Sequence, residues 1–162
     1  MPREGKRCIV AAALEIRNIG KRNLMPQVQI NFLAVAVAAV VAFIIGGLWY
    51  SPLLFAKLWV KAHGYTDEQV KEMQKDATKA YAVTLVCDFL IALAIAVLVS
   101  YIHMERCVQG LKLGLLIWAG FAFPLGLIAS MFSGKRISVF FIDAGYQLVY
   151  LVLMGAIITV WR

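Results

Sequence analysis

Residues 25–56, MPQVQINFLAVAVAAVVAFIIGGLWYSPLLFA, contain no charged side chain. A hydrocarbon layer about 30 Å thick is crossed by about 20 apolar residues in a helix. The run is therefore long enough to cross a bilayer and too long for one straight crossing. Ser51-Pro52 divides it: serine favours an N-cap and proline the first helical position, which predicts a new helix from Pro52. Trp49 and Tyr50 stand just before the break, as aromatic rings do at headgroup level. From Pro52 to His63, Leu54, Phe55, Leu58 and Trp59 accompany Lys57 and Lys61, and Gly64 supplies a stop. That is the pattern of a short helix in the membrane interface whose lysines reach into the headgroups.

Three further runs extend the reading. Ala80 to His103 is broken only by Asp88, Leu113 to Ser133 is uncharged, and Ile137 to Trp161 is broken only by Asp143. The expected fold is all-α, a four-transmembrane-helix bundle whose short connections make neighbouring spans antiparallel. A solvated helix is expected between spans one and two, after the interfacial one. Thr66 and Gln69 have capping-box spacing, and Glu68, Glu72 and Asp76 each precede a lysine (Lys71, Lys75, Lys79) by three residues. Such a charge pattern is a water-facing surface or, alternatively, a docking surface for a partner.

The 162 residues are 62% hydrophobic with a mean hydropathy of +0.81, against roughly 45–50% apolar content in soluble domains. A soluble core is excluded, and the lipid bilayer is the chief partner. The formal charge of +7 sits at the ends of apolar runs, where anionic headgroups meet it, so nucleic acid binding is not expected. Cys8, Cys87 and Cys107 have no C-x-x-C spacing, and no disulfide framework, metal site or cofactor is implied.

Residues 1–24 form a basic N-terminal extension distinct from the membrane domain at 25–162. Six Lys or Arg surround the short apolar run Ile9 to Leu14, a weak basis for a cleaved signal. A basic cytosolic tail, an organellar targeting peptide and a start codon placed too early, with Met25 the true beginning, all fit. Orientation depends on the choice. With the extension, the side holding the N-terminus, loop two and the C-terminus carries nine Lys or Arg against seven in loops one and three; from Met25 the ratio is three to seven. In the second case loops one and three are cytoplasmic and the N-terminus is outside. A multi-pass protein of the plasma or cytoplasmic membrane is expected.

Small residues at four-residue spacing mark helix contacts in lipid. Span one has Ala34, Ala38, Ala42 and Gly46, and span three has Gly110 with Gly114 and Gly126 with Ser130. Asp88 continues into Ala92, Ala96 and Ser100, which turns it toward the bundle. Asp143, Gln147, Gly155 and Thr159 form a stripe on span four, with Tyr146 and Tyr150 beside it. Both aspartates fall in the half nearest loops one and three, where Trp49, Ser51 and Pro52 also lie and toward which Pro124 is expected to kink span three. The candidate polar intramembrane site is thus Asp88, Asp143, Gln147, Tyr146, Ser51 and Trp49. An intramembrane carboxylate points to proton or cation handling. The competing reading is a structural pair with Lys57, Lys79 or Arg136, or neutralisation by protonation.

No H-E-x-x-H, P-loop, G-x-S-x-G or strand-borne G-x-G-x-x-G occurs, and His63 and His103 stand alone near loops. A non-enzyme with no catalytic residues is expected. Asn31, the small-residue helix, Gly47-Leu48-Trp49-Tyr50-Ser51-Pro52-Leu53-Leu54-Phe55 and Trp59 resemble the opening of the domain-of-unknown-function 1761 family of small membrane proteins. Asp143-Ala144-Gly145-Tyr146 is similar to that family's closing segment. The resemblance spans Ile30 to Trp161. It departs at Ala56, where the family commonly has glycine, and at Asp143, where asparagine can stand, which argues against an obligatory proton carrier there. It implies the fold and no activity. Two functions follow from the residues: a small transporter or channel subunit for protons, cations or a small solute, working as a homo-oligomer because one such bundle has little interior for an aqueous path, or a non-catalytic membrane interaction or scaffold protein.

Overall fold

The computed structural model describes residues 29–75, 77–134 and 136–161. The extension at 1–24, Met25 and Asp76 lie outside the described residues. Among those described, every regular element is helical: α1 (Phe32–Trp49), α2 (Ala56–His63), α3 (Asp67–Lys75), α4 (Ala77–Ile102), α5 (Cys107–Phe132) and α6 (Ile137–Val160). Helices α1, α4, α5 and α6 are each long and apolar enough to cross a membrane. Large apolar side chains such as Leu33, Val86, Leu116 and Phe141 cover their outer faces.

Helix α1 starts on Asn31, whose Oδ1 accepts from the Leu33 and Ala34 backbone N–H groups at 3.0 and 3.2 Å, an N-cap. The same side chain donates through Nδ2 to the Trp161 carbonyl at 3.0 Å, while the Gln29 N–H donates to Ser100 Oγ at 3.2 Å. One asparagine thus caps the start of α1 and the end of α6, and α1 runs antiparallel to α4 and α6.

The helix expected to begin at Pro52 begins at Ala56. Ser51 does not cap it. Its Oγ donates backward to the Leu48 carbonyl at 2.7 Å, and its own carbonyl accepts from Leu54 and Ala56, so Ser51 to Phe55 is a run of turns closing α1. Helix α2 then ends as expected at Gly64, whose φ of 73° is the left-handed conformation glycine adopts without strain. The capping box ahead of α3 forms in both directions, Thr66 N–H to Gln69 Oε1 and Gln69 N–H to Thr66 Oγ1. Glu72 and Lys75 make the one ion pair among the described residues, at 2.6 Å. Spans two and three start earlier than the apolar runs predict, at Ala77 and Cys107; Thr78, Lys79, Gln109 and Lys112 are accommodated because the first turns of both helices are exposed.

Span three is interrupted, though by a π turn over Trp118–Ala122 rather than a simple proline kink. Pro124 has no N–H for the Gly120 carbonyl, and just before it the Phe123 N–H reaches back five residues to Trp118.

Helix α6 is the hub. Helices α1 and α4 pack on it and on each other, around Val35, Ala38, Ala92, Ile95, Val99 and Met154. Helix α5 leans chiefly on α6. A Cβ on Gly110 would collide with the Gly155 backbone, one on Gly155 with Gly110, and one on Gly114 with Leu151. Two backbones in contact give the dispersion that holds helices together where apolar solvent offers no hydrophobic drive.

Candidate functional site

Three indole N–H groups converge on three consecutive residues of α6. Trp49, last residue of α1, donates to the Ile142 carbonyl at 3.1 Å. Trp59 of α2 donates to Asp143 Oδ1 at 3.2 Å. Trp118, at the π turn of α5, donates to the Ala144 carbonyl at 2.9 Å. Half-buried indoles still seek an acceptor, and the opening turns of α6 supply all three. Tyr50 adds a fourth donor, its hydroxyl 2.7 Å from Asp143 Oδ1. Burial first, and then the hydrogen bond to Asp143, push the Tyr50 phenol above its ordinary value, so it remains a donor. The Asp143 carboxylate is therefore held by two neutral donors from two different elements.

Packing makes the same joint. The Trp49 ring lies 4.7 Å from Phe55 and 6.4 Å from Tyr146, and Tyr50 meets Tyr146 edge-on at 5.6 Å. Gly145 and Gly46 leave room for this: a Cβ on Gly145 would press on the Trp49 ring at 3.2 Å, and one on Gly46 on the Tyr146 hydroxyl at 2.8 Å. On the far side of α2, Trp59, His63 and Tyr65 form a stack, with Trp59 and His63 4.0 Å apart.

Of the residues singled out from the sequence, Asp143, Tyr146 and Trp49 come together. Gln147 joins them on a cavity of about 200 Å³ between α5 and α6, lined also by Asp143, Ser130 and Ser133. The Ser130 hydroxyl is buried there without a hydrogen-bond partner. Ser51 is adjacent but spends its hydroxyl on Leu48. Asp88 stands apart: it is 4% exposed on the inner face of α4, and its Oδ2 has no partner. Its electrostatic neighbours are Tyr146 and Tyr150, and no hydrogen bond joins it to Asp143. Lys57, Lys79 and Arg136 are exposed, and among the described residues none forms an ion pair with either aspartate. Neutral aromatic donors occupy the place on Asp143 where a cation was expected.

Trp59 and Tyr50 as carboxylate donors, and Trp118 as a member of the joint, were not foreseen. Trp118 carried a signal: an indole in mid-span, away from the interface where aromatic residues collect, must find an internal acceptor.

A second cavity, of about 420 Å³, lies between α1 and α4 and is lined by Phe43, Gly46, Gly47, Tyr50, Tyr81, Thr84 and Tyr146. Tyr50 lines this cavity and bonds Asp143, which lines the other, so one hydrogen bond separates the two.

Fold and site define a small helical protein with four helices of membrane-crossing length, joined by an aromatic clasp on a carboxylate of the last. The family described as "protein of unknown function (DUF1761)" matches residues 33–159, and the chain belongs to it. The two motifs that carry the resemblance, W-Y-S-P-x-x-F with Trp59 and D-A-G-Y, are the two halves of the clasp. No curated protein and no solved structure matches the chain.

Proposed function

We propose that this is a multi-pass protein of the plasma or cytoplasmic membrane that carries protons, cations or a small solute, as a non-catalytic subunit of a homo-oligomer. The observation behind the reading is the position of Asp143, a carboxylate in an apolar helix that lines one cavity and is hydrogen-bonded to Tyr50, which lines the other. The hydrogen bonds from Tyr50 and Trp59 both fall on Oδ1. A carboxylate within an apolar helix is uncommon and is read by default as part of an ion or proton pathway. The oligomer supplies the rest of a path that one chain of this size has no room for.

A second reading, a membrane scaffold with Asp143 as a docking point, is favoured by the convergence of the three indoles on Ile142, Asp143 and Ala144. Asparagine separates the two, because its carbonyl oxygen accepts the same bonds without charge. Proton and monovalent-cation flux is measured in liposomes holding the purified protein, with Asp88→Asn, Asp143→Asn and empty vesicles alongside. Transport predicts flux above background that disappears in an Asp88→Asn or an Asp143→Asn variant of unchanged thermal stability, and loss in only one of them identifies the carrier. Absence of flux under every imposed gradient would sink the proton and cation reading and leave a neutral solute or the scaffold.

A further inference from the structure

We infer that the cavity between α1 and α4 binds a monovalent organic cation, a quaternary or protonated amine with apolar substituents, held by aromatic faces and by the charge of Asp88. The inference rests on the transport reading and names the substrate class of that protein.

The walls are two edge-to-face aromatic pairs. Phe43 and Tyr81 meet at 6.0 Å and 89°, and Tyr50 and Tyr146 at 5.6 Å and 69°. In such a pair one ring offers its edge to its neighbour and leaves a negative face free for a cation. The cavity volume of about 420 Å³ is in the range of small-molecule sites. Gly47 keeps the α1 side open, since a Cβ there would meet nothing within 4 Å.

The counter-charge is independent of the walls. Thr84 lines the cavity, and Asp88 lies one helical turn further along the same side of α4. Its side chain is more than nine-tenths buried, with an oxygen that no protein group satisfies. Buried acceptors left unpaired are uncommon and ask for an explanation. No lysine or arginine lines the cavity, so nothing there repels a cation. An inorganic cation would require an oxygen cage, whereas this lining is mostly rings and glycine. The exposed rim at Gly47, Tyr81 and Thr84 lets an amphipathic ammonium enter sideways from the headgroup layer where such molecules concentrate.

The test is equilibrium dialysis of radiolabelled phenyltrimethylammonium against the purified full chain in detergent, with tert-butylbenzene as the neutral competitor of the same shape. Saturable binding is expected that the neutral isostere does not displace and that Asp88→Asn weakens about tenfold or more. Gly47→Leu, which adds a side chain where there is open space, and Tyr81→Ala, at an exposed ring, are expected to weaken it as well. These two carry the test if Asp88→Asn does not fold. No saturable binding, equal binding of the neutral isostere, or indifference to all three variants would overturn the inference. Because binding is read without flux, proton or metal-cation flux without ammonium binding defeats this inference alone, and ammonium binding without any flux, of the ammonium included, defeats the transport reading.

Discussion

At the residue scale, Asp143 shows how an apolar helix accommodates a carboxylate without a cation. Tyr50 and Trp59 replace water with two directed donors, and a hydrogen bond to a charged acceptor is worth about 1.5–3 kcal/mol. Trp59→Phe and Tyr50→Phe keep the rings and remove one donor each. Each is expected to lower thermal stability in detergent by that order, with the double variant losing more than the sum because Asp143 is then left with neither. The raised Tyr50 phenol adds a pH signature. A group favoured as its neutral form in the fold contributes stability that is complete below its unfolded value, about 10 for tyrosine, and is lost as pH rises toward the folded value. Melting temperature is thus expected to fall above about pH 10, and to fall less steeply in Tyr50→Phe than in the parent.

At the scale of elements, the α5–α6 contact is the most exacting. Gly110→Ala drives a methyl group into the Gly155 backbone, which cannot rotate away. A cost of about 1–3 kcal/mol or more is expected, read as earlier thermal unfolding and as protease access to the segment joining α4 and α5. Gly46→Ala meets only the tip of Tyr146, and a smaller loss is expected. The contrast between them was not legible in the sequence, where both glycines sit on small-residue stripes. Period and composition find such stripes but do not say whether backbone or a side-chain tip lies opposite. The Ser51-Pro52 break illustrates the same limit. The sequence located the end of α1 to within two residues, yet missed that Ser51 would turn back to Leu48 and delay α2 to Ala56, because a hydroxyl after a helix has orphan carbonyls behind it as well as orphan N–H groups ahead.

At the scale of the molecule, the four apolar helices and the loop-one pair were legible because the bilayer imposes length and polarity on each separately. Which helix would be the hub was not, since that depends on partners many residues apart. Orientation is open to a direct measurement. In a chain begun at Met25 and carrying Cys87→Ser, a membrane-impermeant maleimide is expected to label Cys107, an exposed thiol at the start of α5, from outside intact cells, because Lys57, Lys61, Lys71, Lys75, Lys79 and Arg136 then outnumber the basic residues at its own end. Labelling only after the cells are opened would reverse the topology. The aromatic clasp also orders events in time. Tyr50 and Trp59 precede Asp143 by 93 and 84 residues, so the ribosome has released both donors long before the carboxylate emerges. The last helix, the least hydropathic of the four, is thus made after both of the donors that its carboxylate binds, and a nascent chain halted before Ile137 carries donors with no acceptor.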